Sequence, residues 1–198
     1  MRIDGKRIFD VVLAAPALAA LCPVMLLIAA AVRITSPGGA IYKGLRIGRF
    51  GRPFRLVKFR TMRLGADASG PLVTGSGDPR VTSCGRFLRR TKLDELPSLW
   101  NVVKGDMSLV GPRPENEKAV ALYTPQQREI LNLRPGITSL ATLKYRNEEA
   151  LLAAGPALEE MYYRIMQDKL TLELTYLRKR SFALDLKILF QTVLALFR

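Results

Sequence analysis

Residues 11–32 read VVLAAPALAALCPVMLLIAAAV, a run of twenty-two residues without a charge. As an α-helix this run is about 33 Å long, close to the thickness of the hydrocarbon core of a bilayer. A cleaved signal peptide is the first alternative, but the run is long for one, and Asp4 and Asp10 do not suit its basic start. The run therefore predicts a segment that holds the chain in a membrane.

Two prolines, Pro16 and Pro23, lie inside this run and remove backbone hydrogen bonds that lipid cannot replace. Basic residues flank it on both sides: Arg2, Lys6 and Arg7 before, and Arg33, Lys43, Arg46 and Arg49 after. Because basic flanks favour the cytoplasmic side, we expect a re-entrant helix that enters, bends near Cys22-Pro23 and returns. The charges alone also permit a spanning helix with its N-terminus outside. Both arrangements place the main domain in the cytoplasm.

The turn residues Ser36-Pro37-Gly38-Gly39 separate the membrane segment from the rest. We therefore divide the chain into a re-entrant helix-break-helix hairpin, residues 1–36, and a domain at the cytoplasmic face, residues 37–198. The expected elements of this domain are a twisted hairpin or two short strands over 40–62, a loop over 65–79, and helices over 86–104, 125–133, 148–177 and 182–198. The last helix is apolar enough either to close a core or to lie in the membrane interface. The predicted fold class is α+β, mostly helical, with interfacial amphipathic helices.

The charge and composition of the chain limit the classes of partner it could bind and the side chains that could act in catalysis. It has 31 Lys and Arg against 17 Asp and Glu, a formal net charge of +14, and no histidine. This charge indicates nucleic acid, anionic lipid or phosphorylated substrates as partners. Without histidine, Ser-His-Asp and Cys-His pairs and His-based zinc sites are excluded, so catalysis would fall to carboxylates, Lys, Tyr or hydroxyls. Cys22 and Cys84 are not expected to form a disulfide, which favours a reducing compartment.

The first candidate for chemistry is the pair Asp94-Glu95. Thr91 and Asp94 resemble a helix capping box, which is the structural alternative. Four cations stand close in sequence: Arg86, Arg89, Arg90 and Lys92. Opposite charges lower a carboxyl pKa, so we expect Asp94 to stay ionised and nucleophilic. Two adjacent carboxylates also suit Mg²⁺, which completes its shell with water and phosphate oxygens.

Three further positions are candidates. Arg113 stands between two prolines in Gly111-Pro112-Arg113-Pro114, which fix the direction of its guanidinium. A guanidinium fits phosphate oxygens, so this turn is a candidate phosphate contact. The structural alternative is a rigid turn with a solvated Arg. Lys58 alternates with apolar residues and by default faces outward from a strand. Asp185 lies in an apolar run, and we expect a nearby Arg or Lys to pair with it.

Five segments occur in an order and spacing that resemble a known family. They are KRIFDVVLA (6–14), VKFRTM (57–62), LRRTKLDELPSLWNVVKGDMSLVGPRP (88–114), LRPGIT (133–138) and SFALDLKIL (181–189). The chain resembles the bacterial monotopic phosphoglycosyl transferases, the initiating sugar transferases that load undecaprenyl phosphate. The resemblance covers nearly the whole chain and matches the minimal form, which consists of the catalytic core.

This resemblance implies a UDP-sugar and polyprenyl phosphate as substrates, at the cytoplasmic face of the bacterial inner membrane. It implies that Asp94 is the nucleophile, that UMP leaves, and that a phosphosugar stays on the carboxylate until polyprenyl phosphate attacks it. Glu95 would help to hold Mg²⁺. The positions implied to contact substrate are Lys58, Arg89, Arg113, Arg146 and Asp185. A homo-oligomer is left open.

The sequence departs from the family in two places. Cys22-Pro23 stands where the family commonly has Ser-Pro, and a thiol bonds the freed backbone carbonyls more weakly than a hydroxyl. The run SLATLKYRNEE, residues 139–149, replaces a Gly-Trp-Ala-Gln-type run, which puts the identity of the transferred sugar in question.

The alternative function is a non-catalytic, basic, membrane-tethered module for anionic lipid or nucleic acid. The chain has no nucleic-acid-binding signature, so nucleic acid is not expected as a partner.

Overall fold

The computed structural model describes residues 5–66, 75, 77–152 and 158–196. The helices are α1 (Gly5–Thr35), α2 (Ser83–Thr91), α3 (Leu99–Lys104), α4 (Glu117–Ala121), α5 (Leu140–Lys144), α6 (Glu148–Leu151), α7 (Leu158–Lys179) and α8 (Phe182–Leu196). The strands are β1 (Ile41–Ile47), β2 (Pro53–Phe59), β3 (Ser108–Val110) and β4 (Gly136–Thr138). Short 3₁₀ helices span Arg49–Gly51, Leu93–Ser98 and Gln127–Asn132. The chain is therefore mostly helical with two small sheets, as expected for the α+β class, whereas the predicted loop over 65–79 lies largely outside the described residues.

The N-terminal segment is one helix of 31 residues that continues through Pro16 and Pro23. The expected helix-break-helix is therefore corrected to a single helix, about 46 Å long. In the described part of the chain it is the one helix long and apolar enough to cross a membrane. Only 6% of its most apolar eighteen-residue window is buried, unlike the core helix of a water-soluble protein. This composition and exposure support membrane association.

One face of α1 packs on the rest of the protein along most of its length. Near its start, Arg7 donates to the carbonyls of Val102 and Val103 in α3, and Asp10 Oδ1 accepts from the Leu109 amide at 3.1 Å. Near its end, Val32 is buried in a cluster with Phe59 and Leu88. The opposite face exposes apolar side chains, namely Ile8, Val12, Leu13, Val24, Leu26, Leu27 and Ile34. The division at residues 36 and 37 stays a prediction.

Strands β1 and β2 form the expected antiparallel hairpin, with Ile41 opposite Phe59 and Ile47 opposite Pro53. The buried amide of Asn101 ties α3 to the free edge of β2. Its Oδ1 accepts from the Val57 amide at 2.9 Å, and its Nδ2 donates to the Arg55 carbonyl at 2.8 Å. This contact fixes the strand that carries Lys58.

Strands β3 and β4 are parallel and bring the turn Gly111-Pro112-Arg113-Pro114 close to the segment Arg134-Pro135-Gly136. The Gly136 amide donates to the Pro112 carbonyl at 2.9 Å, and the Gly111 amide to the Thr138 carbonyl at 3.1 Å. A Cβ on Gly136 would lie 2.1 Å from the Gly111 nitrogen, so a side chain does not fit there. The close approach of these two glycines therefore sets the position of the turn that carries Arg113.

The helix expected over 86–104 is divided into three pieces. Helix α2 ends at Thr91, Lys92 adopts φ +59°, and the 3₁₀ helix Leu93–Ser98 leads into α3. A left-handed residue ends an α-helix, and Pro97 has no amide to continue one. The capping-box alternative is wrong, because the Thr91 hydroxyl donates back to the Phe87 and Leu88 carbonyls. The break turns Asp94 and Glu95 toward β2.

The other helical predictions are confirmed with changed boundaries. The pattern over 125–133 corresponds to the 3₁₀ helix Gln127–Asn132, and the pattern over 148–177 corresponds to α6 and α7, the second of which extends to Lys179. The pattern over 182–198 contains α8. Helix α8 buries Ile188 in the main core with Ala14, Val102 and Tyr176. It also exposes an apolar face, consisting of Phe182, Leu186, Phe190, Val193 and Leu194. Helix α8 therefore closes the core, and its exposed apolar face is compatible with the membrane interface, which stays a prediction.

Candidate active site

Glu95 is the centre of an ion-pair network. Its Oε1 accepts from Lys58 Nζ on β2 at 2.7 Å and from Arg113 Nη2 on the Pro-framed turn at 2.9 Å. Burial acts to raise the pKa of Glu95, but the charges of Arg113 and Lys58 outweigh burial and hold that pKa far below its usual range. Glu95 is therefore a permanent anion that positions two cations.

Asp94 has the opposite environment. It is 8% exposed, and its Oδ1 is buried without a hydrogen-bond partner among the described residues. Burial raises the pKa of Asp94, the charge of Glu95 adds to this effect, and the charge of Lys58 only partly offsets it. The expectation that neighbouring cations lower this pKa is therefore wrong, because the loss of hydration dominates. An ionised Asp94 oxygen without hydrogen bonds is a strong nucleophile.

Both carboxylates line one open cavity of about 610 Å³, here called the Asp94 cavity. The basic residues along its wall are Arg46, Lys58, Arg60, Arg63, Arg80, Arg89, Lys92 and Arg113. The volume suits a ligand of nucleotide-sugar size. Eight cations around two carboxylates suit a ligand with several phosphate charges.

The Asp94-Glu95 pair fits Mg²⁺ in one particular way. The described residues contain no cluster of three metal-ligating side chains. Mg²⁺ needs only one or two carboxylates when substrate phosphates complete its shell. The two described side-chain hydrogen bonds to the Glu95 carboxylate both reach Oε1, so Oε2 and the unpartnered Asp94 Oδ1 are the oxygens that suit such an ion.

Four of the predicted site residues join Asp94 in this cavity, and two do not. Arg89, Lys58, Glu95 and Arg113 line it, and Arg89 Nε donates to Thr61 Oγ1 at 2.9 Å. Arg146 follows α5 and is not among the residues that line it. Asp185 lines a different cavity.

Asp185 is paired inside that second cavity, which lies between α1 and α8. One oxygen forms an ion pair with Lys6, and the other accepts from the Tyr176 hydroxyl at 2.6 Å. The expected pairing with a basic residue is confirmed. The described contacts tie Asp185 to α1 and place it apart from the Asp94 cavity, so its contact with substrate stays a prediction.

Sequence reasoning missed two buried residues behind the site. Arg60 donates to the Ser36 and Pro37 carbonyls and so attaches the end of α1 to the cavity wall. Glu173 on α7 accepts from the Ser139 hydroxyl at 2.6 Å and the Arg113 amide at 3.4 Å. The alternation in VKFRTM could have indicated Arg60, whereas Glu173 lies in an ordinary polar helix pattern and gives no such signal.

The chain is similar to bacterial proteins of one kind. The family described as bacterial sugar transferase matches residues 2–198. The UDP-glucose:undecaprenyl-phosphate glucose-1-phosphate transferase of Caulobacter vibrioides is 39% identical over 191 residues, which cover 95% of this chain and 68% of that protein. The Escherichia coli protein of the same name is 40% identical over 196 residues, 95% of this chain and only 39% of that protein. Exopolysaccharide production protein ExoY of Sinorhizobium fredii is 34% identical over 204 residues, 96% of this chain and 84% of that protein.

Proposed function

This chain belongs to the bacterial sugar transferase family and is a phosphoglycosyl transferase, and we propose that it moves a sugar-1-phosphate from a UDP-sugar to polyprenyl phosphate. The products are polyprenyl-diphospho-sugar and UMP, and the reaction is the first membrane step in the assembly of an exopolysaccharide or related glycoconjugate. The observation that carries the proposal is the contrast between Asp94, buried and without a described hydrogen bond, and Glu95, fixed by two cations in the same cavity.

The proposed chemistry has two displacements at one phosphorus atom. An Asp94 oxygen attacks the sugar-linked phosphorus, the bond to the bridging oxygen breaks, and UMP leaves with the electron pair. A phosphate oxygen of polyprenyl phosphate then attacks the same phosphorus, and Asp94 leaves as a carboxylate. An ionised carboxylate oxygen without competing hydrogen bonds has its lone pairs available for attack, which agrees with the environment of Asp94.

The cations supply the electrostatic part of the reaction. Lys58 and Arg113 are positioned by Glu95 at 2.7 and 2.9 Å, and Arg89 lines the cavity beside them. Positive groups in fixed positions stabilise the charge that develops as a phosphoanhydride breaks. Mg²⁺ bound near Glu95 would neutralise charge on the phosphate oxygens. These charges explain how the reaction would proceed without histidine.

Helix α1 would keep the site at the cytoplasmic leaflet. A helix that spans a bilayer carries about 30 Å of its length into hydrocarbon, away from a domain on one side. Here Arg7 near the start and Val32 near the end both contact the domain. This contact at both ends favours a helix that enters and leaves on one side, even without a break at Pro23. The lipid phosphate would then meet Asp94 at the inner membrane surface.

The decisive experiment separates the two displacements. Detergent-solubilised protein is incubated with UDP-glucose, or with another UDP-sugar, and Mg²⁺ without polyprenyl phosphate. We expect at most one UMP per protein and a mass increase of one phosphosugar, followed by turnover when polyprenyl phosphate is added. Asp94→Asn should lose both signals, whereas Glu160→Gln, which alters an exposed ion pair on α7, should keep them.

Two outcomes would contradict the proposal. UMP release that persists in Asp94→Asn would end the assignment of the nucleophile. Absence of UMP with every common UDP-sugar would favour the non-catalytic binding module. UDP-glucose is the first substrate to test because the names of two relatives contain it, but the altered segment around α5 leaves the choice of sugar to the assay.

A further inference from the structure

A second cavity, of about 460 Å³, lies between the start of α1 and the start of α8. We call it the α1–α8 cavity. Its wall includes Arg49, Arg134, Arg180 and Phe182, together with residues of β3 and the end of α7. It shares no lining residue with the Asp94 cavity. A ligand bound in the α1–α8 cavity would therefore lie outside the Asp94 cavity, where the reacting phosphate is proposed to bind.

The acidic groups in the α1–α8 cavity already have partners. Asp185 is satisfied by Lys6 and the Tyr176 hydroxyl, and Asp10 accepts from the Leu109 amide. These contacts hold α1, α7, α8 and β3 together. The two carboxylates therefore have a structural role in the wall and do not neutralise the arginines.

The arginines keep most of their donors. Arg49 donates through Nε to the Asn132 carbonyl at 2.9 Å, and Arg134 through Nε to the Gly105 carbonyl at 3.2 Å. Arg180 is exposed and has no hydrogen bond or ion pair with the described residues. A guanidinium held only by Nε has its two terminal NH₂ groups left for a ligand, and this fork matches phosphate oxygens.

The helices that form the α1–α8 cavity also carry exposed apolar side chains. Phe182 belongs to the wall and is 57% exposed, and its ring packs edge-to-face with the Phe9 ring, with 4.8 Å between the ring centroids. Ile8 and Val12 on α1 and Leu186 on α8 expose apolar side chains nearby in sequence. A ligand with an anionic phosphate and a long apolar chain meets complementary groups at both ends.

We propose that the α1–α8 cavity binds the phosphate headgroup of an anionic bilayer phospholipid, with Arg49, Arg134 and Arg180 around the phosphate and the acyl chains along Phe182. The lipid would fix the first turn of α1 and the first turn of α8 at the membrane surface. Binding requires neither the nucleotide sugar nor turnover, so it stands or falls separately from the proposed chemistry.

The test measures lipid binding to the full chain in a neutral detergent. Delipidated protein is titrated with dioleoylphosphatidylglycerol, and its unfolding temperature is followed by the fluorescence of the single tryptophan, Trp100. A ligand that binds the folded state raises this temperature in a saturable way. Arg180→Gln should require about fivefold more lipid for half of the effect, because each basic group at an anionic membrane surface contributes about that factor.

Two controls make the result specific to the site. Arg134→Gln should weaken binding by a similar factor, but it also loses the bond to Gly105 and could lower stability by itself. Arg180, which has no described partner, keeps the test interpretable in that case. Arg33→Gln, at the other end of α1, removes an exposed cation outside the cavity and should leave the titration unchanged.

The remaining arms separate the sources of phosphate. Dioleoylphosphatidylcholine should give little effect, because its headgroup has no net charge. Equal loss in Arg33→Gln and Arg180→Gln would show diffuse attraction and overturn the proposal. Saturation by inorganic phosphate alone would assign a soluble anion. Displacement of phosphatidylglycerol by a lower concentration of polyprenyl phosphate, lost in Arg180→Gln, would assign the cavity to the acceptor lipid.

Discussion

Asp94 and Glu95 are neighbours in one 3₁₀ helix and line one cavity, yet their carboxylates differ in their hydrogen-bond partners and in the direction of their pKa shifts. Glu95 Oε1 accepts from Lys58 and Arg113, whereas Asp94 Oδ1 has no described hydrogen-bond partner. The pKa of Glu95 is lowered and that of Asp94 is raised. Two carboxylates with opposite shifts are typical of a site in which one holds charge and the other reacts.

Asp94→Asn should raise the unfolding temperature at pH 8 and abolish UMP release. Since the folded-state pKa of Asp94 is raised, its neutral form favours folding. This contribution to stability is complete below the unfolded-state pKa and is lost as the pH rises through the folded-state pKa. At pH 8 the ionised side chain therefore destabilises the protein, and a neutral Asn relieves that cost. The gain should shrink as the pH falls toward 4, and a lower unfolding temperature at pH 8 would contradict the buried, unpartnered carboxylate.

Glu95→Gln should lower stability, by about 3 kcal/mol, because it leaves two half-buried cations without their anion. The lowered pKa of Glu95 means that its contribution is present above the unfolded-state pKa and disappears only in strong acid. Urea unfolding at pH 7 measures the loss. In a double-mutant cycle, Lys58→Met with Glu95→Gln should cost less than the sum of the single changes. Additive costs would show that the 2.7 Å contact between Lys58 Nζ and Glu95 Oε1 contributes no stability.

A cysteine added at the N-terminus should stay unlabelled by a membrane-impermeant thiol reagent in intact cells. This follows from the contacts of Arg7 and Val32 at the two ends of α1 with one domain. The background is Cys22→Ser with Cys84→Ser, since both native thiols are free. Labelling after permeabilisation confirms that the added thiol is reactive. Labelling without permeabilisation would establish a spanning helix instead.

Local patterns predicted much of the fold. Short apolar pairs with Gly and Pro between them in residues 40–62 predicted the hairpin or two strands found as β1 and β2, and the apolar run of 11–32 predicted α1. The break at Lys92 was not predicted, because a lysine with φ +59° has no sequence signature and depends on how α2 packs on α1 and how the 3₁₀ helix Leu93–Ser98 packs on β2. Pro23 predicted a break in α1 that the structure lacks, because packing along one face of α1 offsets the local cost of a proline.

Sequence predicted some of the residues around the Asp94 cavity but not their electrostatic environment. Lys58, Asp94, Glu95 and Arg113 converge in space, as the resemblance implied, whereas Asp185 belongs to a different cavity. Sequence could not give the direction of the Asp94 pKa shift, because cations near in sequence are visible and burial is not. Glu173 was invisible for the same reason: its importance comes from contacts with Ser139 and Arg113, 34 and 60 residues away.

Gly136→Ala should destabilise the protein by about 3 kcal/mol, at the upper end of overpacking costs. The new Cβ would lie 2.1 Å from the Gly111 nitrogen and 2.5 Å from its carbonyl oxygen, both backbone atoms that have no rotamer to adjust. UMP release should also fall, because the Arg113 turn must shift. Gly5→Ala is the matched control, since a Cβ on Gly5 would meet nothing within 4 Å. Equal unfolding temperatures for the two variants would contradict the close approach of the two turns.

Glu173→Gln should flatten the dependence of stability on pH around neutrality. Burial raises the pKa of Glu173 to about 7, against the opposing effects of the Ser139 hydroxyl, the Arg113 amide and the charges of Lys169 and Arg113. Its neutral form favours folding, so its contribution is complete below about pH 4.5 and is lost as the pH rises through about 7. The wild-type free energy of unfolding should therefore fall mainly between about pH 5 and 7 relative to that of Glu173→Gln, by on the order of 1 kcal/mol per pH unit at its steepest, and should level off above that range. Glu160→Gln, an exposed change on the same helix, should follow the wild type, and a parallel curve for Glu173→Gln would mean that Glu173 is ionised throughout this range.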